Sequence, residues 1–153
     1  MENRSSYSGS LIYVNNALIN FNSKKQNTVE SSSFCSDLVA LIIATEMVES
    51  LRYNLRTFSV NLEVPEEVYC YNKSVVKNSS VPVSVLNKRH NAICYHRVRE
   101  DQAVGTLREG WIIGEYNLSC LFTKTTMTGN MRHGMVELIF YNKSAVIREK
   151  DES

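Results

Sequence analysis

Four cysteines and three histidines are the side chains of this sequence best suited to metal binding or nucleophilic chemistry. Cys35, Cys70, Cys94 and Cys120 lie 35, 24 and 26 residues apart, without the close pairs that build zinc knuckles or dithiol redox sites, so free, buried thiols are expected. His90, His96 and His133 adjoin no serine or cysteine in a recognisable nucleophile motif and read as structural histidines. Cations offer the other chemistry. Lys24 and Lys25 stand together ahead of a helix, and Lys88, Arg89, His90, His96, Arg97 and Arg99 form a basic concentration with Tyr95 interleaved. Either group would suit phosphate oxygens through charge-assisted hydrogen bonds. The competing reading leaves the paired lysines solvated and puts Arg97 on a helix face where Glu100 and Asp101 offset the cations in salt bridges.

The whole chain limits what those groups serve. At 153 residues, 43% hydrophobic and 22% charged, it has the size and composition of one packed domain, read as 1–153 with loose ends at 1–9 and 146–153. Seventeen basic residues against sixteen acidic ones leave a formal charge of +1, so any polyanion must be held by a local patch. Two prolines and six glycines argue against a disordered linker or a glycine-rich phosphate cradle. No apolar run has the length of a bilayer span, and MENRSSYSGSLIYV lacks the apolar centre of a signal peptide, so an intracellular protein with no membrane partner is expected. The Asn-x-Ser sequons then follow from asparagine richness alone.

Periodicity supplies the elements that must position these groups. LIYV and ALINF, split by Asn15-Asn16, read as a β-hairpin, because asparagine tolerates the positive φ of a tight turn. Leu38, Leu41, Ile42, Val48, Leu51 and Leu55 recur at helical spacing and predict an amphipathic helix over 33–56, capped by a serine ahead of Phe34. EEVYCYN reads as a strand with Val68, Cys70 and Asn72 on one face and Tyr69 and Tyr71 on the other. A short helix or loop follows near 73–79. NAICYHRVREDQAV predicts a helix with Ile93, His96 or Arg97, and Val104 on its inner face, closed by Gly105. EGWIIGEY reads as a strand whose Trp111 packs in the core, 118–125 as helical, and MVELIFY as either helix or strand. The order ββαβααβα is that of an α/β or α+β domain with a mixed sheet.

Several segments together resemble the ribonuclease H domain of copia-type retrotransposon polyproteins. NRSSYSGSLIYV resembles the family's R-K-S-T-S-G-Y-x-F opening, and NSKKQNTVESSS its S-K-K-Q-x-x-V-x-x-S-S stretch. EEVYCYNKSVV is similar to I-Y-x-D-N-x-S-A-I, KRHNAICYHRVRE to T-K-H-I-D-I-x-Y-H-x-V-R-E, and NLSCLFTK to Q-L-A-D-x-x-T-K. The resemblance implies the ribonuclease H fold, a five-stranded mixed sheet flanked by helices with strand order 3-2-1-4-5. It implies a chemistry as well, in which four carboxylates hold two magnesium ions that hydrolyse RNA in an RNA–DNA hybrid.

Carried across position by position, that carboxylate set is depleted. The first aspartate belongs to a central strand expected ahead of Asn3, which this sequence does not include. The second falls at Asp37, one methylene shorter than the family's glutamate. The third falls at Tyr71, and a phenol, ordinarily ionising near pH ~10, is a poor magnesium ligand. The fourth falls at Cys120, whose soft thiol is mismatched to magnesium. A zinc site from Cys35 and Cys120 with Asp37 or His96 is a minor alternative, since free core cysteines are common.

The implied protein is a non-catalytic, degenerate ribonuclease H-like module, with Asp37, Tyr71 and Cys120 as vestigial site positions and no metal or other cofactor. Weak binding of RNA–DNA hybrid or duplex through Lys24, Lys25, Arg89, His90 and Arg97 is the expected activity. Two rivals stand beside it: an active, magnesium-dependent ribonuclease H, and an assembly module that forms a homodimer by strand pairing through its incomplete sheet.

Overall fold

The computed structural model describes residues 5–27, 32–81, 92–124 and 129–140. In chain order its elements are β1 (Tyr7–Val14), β2 (Ala17–Lys25), α1 (Ser33–Thr57), β3 (Glu66–Cys70), α2 (Lys73–Ser80), α3 (Ala92–Val104), β4 (Leu107–Trp111), a 3-10 helix (Leu118–Phe122) and α4 (Gly129–Phe140). The fold is a mixed α/β arrangement in which the described strands make two separate two-stranded sheets, β1 with β2 and β3 with β4. The chain divides into two compact units, Met1–Ser6 with Gln26–Asn117, and Tyr7–Lys25 with Leu118–Ser153. Of the end expected to be loose at 1–9, residues 7–9 lie in β1, where Tyr7 pairs with Lys25 in the hairpin. The end at 146–153 lies outside the described residues.

In the first unit α1 begins where the serine cap was expected. Ser32 is extended at φ −154° and its hydroxyl accepts the Cys35 amide hydrogen, satisfying one of the orphan donors of a helix start. Leu38, Leu41 and Ile42 then face inward and, with Val68, Val75, Tyr95, Val98 and Leu107, form the buried core. Thr45 is buried on the same stripe because its hydroxyl donates to Leu41 O at 3.0 Å. β3 and β4 are parallel, from Glu66 beside Leu107 to Cys70 beside Trp111. Arg52, buried on α1, ties that helix to the start of β3 by donating to Val64 O at 3.0 Å and to Glu66 Oε1 at 2.6 Å.

Four details differ from the sequence expectation. α3 turns Tyr95, Val98 and Asp101 inward, whereas Ile93 and Val104 are 84% and 74% exposed. A three-residue spacing of aromatic, aliphatic and acid outcompetes the two flanking aliphatics, because the helix orients by the bulk it buries in the middle. β4 starts at Leu107 and ends at Trp111, so Ile112 and Ile113 lie beyond the strand. Trp111 is 46% exposed instead of packing in the core. Asn72 also leaves the strand, for it is the N-cap of α2.

The second unit is built on the hairpin. Asn15 and Asn16 have φ of 48° and 67°, the pair of positive values a two-residue primed turn requires. Gly9 is needed for close approach: a Cβ there would lie 2.8 Å from Ser119 O and 2.8 Å from Thr123 Cγ2. Phe21 stacks on Phe122 with ring centres 5.8 Å apart. The ambiguous MVELIFY run is helical as far as Phe140, within α4, where Met135 and Ile139, one turn apart, bury with Leu118 against Leu11, Leu18 and Leu121.

Candidate functional site

The residues that could do chemistry in the first unit meet where β3 ends and α2 begins. α1 carries Asp37, and the exit from β3 delivers Tyr71 and Asn72. The Tyr71 hydroxyl donates to Asp37 Oδ1 at 2.9 Å and Asn72 Nδ2 donates to Asp37 Oδ2 at 2.7 Å. Asn72 is held in turn, because its Oδ1 accepts the Ser74 and Val75 amide hydrogens at 3.1 and 3.3 Å. Both carboxylate oxygens of Asp37 therefore serve a latch between α1 and the first turn of α2. Behind it the Trp111 indole N–H donates to Tyr71 O at 3.0 Å, and the Lys73 ammonium lies 5.0 Å from the Trp111 ring centre, a cation–π distance. Burial pushes the Cys70 thiol up to about 11, with Asp37 and Glu109 adding to the effect, so this thiol stays protonated and inert.

That donor set does not fit magnesium. The ion needs hard, anionic oxygen ligands in near-octahedral array, and here one carboxylate, already engaged by two donors, stands beside a phenol and an amide. Cys120 is buried in the 3-10 helix of the second unit, where its carbonyl accepts the Thr123 and Lys124 amide hydrogens at 3.2 and 3.0 Å. Cys35 is buried in the first turn of α1, where its sulfur accepts the Ser32 hydroxyl at 3.2 Å. All four cysteines are free thiols. No group of three or more His, Cys, Asp or Glu among the described residues is placed to hold a metal ion.

The basic residues divide. Lys24 and Lys25 are exposed at the end of β2 in the second unit. Arg97 is engaged by acids: its Nη2 donates to both Glu49 carboxylate oxygens at 2.8 Å, and Asp101 and Glu100 lie 3.6 and 3.9 Å from its guanidinium. Arg89 and His90 lie outside the described residues.

The sequence reading missed the burial of Asp101 and the inward, half-buried placement of Glu109. Asp101, 4% exposed, is pushed up to about 6 by burial and by the Glu49 carboxylate, against the lowering effect of Arg97. Glu109 lies on the core side of β4, where Ser79 donates to it and burial raises its pKa. Alternation from Leu107 would have placed Glu109 on the inner face, had the strand been started two residues earlier.

No protein-family model matches the chain, and no solved structure matches it. No described helix is long and apolar enough to cross a membrane.

Proposed function

We propose that the chain is a non-catalytic ribonuclease H-like module, a remnant of a copia-type polyprotein, that binds RNA–DNA hybrid or duplex weakly through Lys24 and Lys25. The observation that carries the reading is the latch on Asp37: the one acid remaining at a family position has both oxygens committed to Tyr71 and Asn72. The element order gives further support. An antiparallel pair followed by a long helix and then a parallel pair is what strand order 3-2-1-4-5 leaves when its middle strand is taken out. Arg97 contributes little to a phosphate contact in this reading, since Glu49 already neutralises it.

Two measurements test the proposal. A labelled RNA–DNA hybrid incubated with magnesium or manganese stays intact, and cleavage that disappears in Asp37→Asn would establish the active ribonuclease instead. Hybrid binding at low salt weakens steeply as salt is added, with a logarithmic slope that shrinks by roughly one per lysine removed in Lys24→Ala and Lys25→Ala. A flat salt response, or no binding at low salt, removes the nucleic-acid role.

A further inference from the structure

Among the described residues β3 pairs on one side alone, and its alternation decides which backbone groups the other edge offers. Glu66 N–H donates to Thr106 O and Ile112 N–H donates to Cys70 O, each at 3.1 Å. Residues 66, 68 and 70 therefore direct their backbone groups to β4, as a parallel ladder requires of every second residue. Glu67 and Tyr69 turn their N–H and C=O groups to the opposite edge, and among the described residues β4 is the strand neighbour of β3. Both side chains are exposed. An open edge is a template for another strand.

We propose that a second copy of the chain pairs with this edge, β3 antiparallel to β3 about a two-fold axis at Val68, so that two two-stranded sheets become one continuous four-stranded sheet. This register sets Glu67 opposite the partner's Tyr69 as a hydrogen-bonded pair that exchanges both backbone bonds, and the two-fold repeats it. Val68, whose backbone groups are directed to β4, falls at the non-hydrogen-bonded position, where an antiparallel ladder asks for none. Side chains select the same axis. Axes at Glu66 or Glu67 set like charges opposite each other; axes at Tyr69 or Cys70 carry the pairing past the end of the strand at Cys70. With the axis at Val68 each Glu67 faces a tyrosine, the residue whose hydroxyl it already accepts within its own chain at 2.5 Å. The inference concerns the first unit alone and does not depend on nucleic-acid binding.

Sedimentation of the full chain tests it, with a reversible monomer–dimer equilibrium expected at roughly 10–100 µM. Glu67→Pro removes an outward N–H and leaves the β4 ladder intact, and it raises the dimer dissociation constant about tenfold or more. Val68→Cys gives a register readout that does not depend on that variant folding: paired non-hydrogen-bonded Cα atoms lie about 4.5 Å apart, within disulfide reach. Mild oxidation then joins two copies through the new thiols at position 68, identified by peptide mass. A monomer throughout the range, a folded Glu67→Pro dimer of unchanged affinity, or cross-links that bypass position 68 overturns the proposal.

Discussion

Asp37 is a carboxylate in a structural role, accepting from Tyr71 and Asn72. A carboxylate that accepts from a tyrosine hydroxyl and from an amide that itself caps a helix stabilises the turn it spans, so Asp37→Ala should cost about 1–2 kcal/mol in urea denaturation. Tyr71→Phe, which removes one exposed hydroxyl, should cost less. Asp101 makes the pH prediction. Its folded pKa of about 6 lies above its ordinary 3.8, so protonation favours the folded state. Its stabilising contribution is complete below about pH 4 and is lost as pH rises through 6. Asp101→Asn should therefore gain on the wild-type protein between pH ~4 and pH ~7, by on the order of 1–2 kcal/mol, when unfolding is followed across that range. Glu109, raised by burial, shifts in the same direction.

At the scale of elements, α3 separates bulk from mere hydrophobicity. Val98 is buried and Ile93 is exposed, so Val98→Ala should destabilise by about 1–3 kcal/mol while Ile93→Ala stays within about 0.5 kcal/mol. The existence of α3 and its stop at Gly105, which has φ +76°, were legible from the sequence. Its orientation was not, because apolar and aromatic side chains spread around the helix admit more than one inner face. The hairpin was legible almost completely, since Asn15-Asn16 between apolar runs has few other uses. Asn16→Gly, relieving a φ of 67°, should raise the thermal midpoint through a gain of a few tenths to about 1 kcal/mol. The strand of β4 was read late because Glu109, an acid on a core face, breaks the alternation that marks a half-buried strand.

For the molecule as a whole, a site built from an engaged acid, a phenol and an amide gives magnesium nothing to hold. Millimolar magnesium should leave the thermal midpoint unchanged beyond its ionic-strength effect, because only a ligand that binds the folded state raises it. A magnesium-specific rise that vanishes in Asp37→Asn would contradict the reading.

By itself the sequence determined the element order, the turn at Asn15-Asn16 and the serine cap of α1. These depend on local propensity and on the identity of single residues, which short-range sterics and side-chain chemistry dictate. Only tertiary structure decided that Asp37 is bound by Tyr71 and Asn72, that Arg97 is matched to Glu49, that Asp101 is buried and that Glu109 is half-buried. Each of these joins residues from different elements, and whether a charge is free, paired or desolvated depends on which neighbour the packed chain brings within hydrogen-bonding distance.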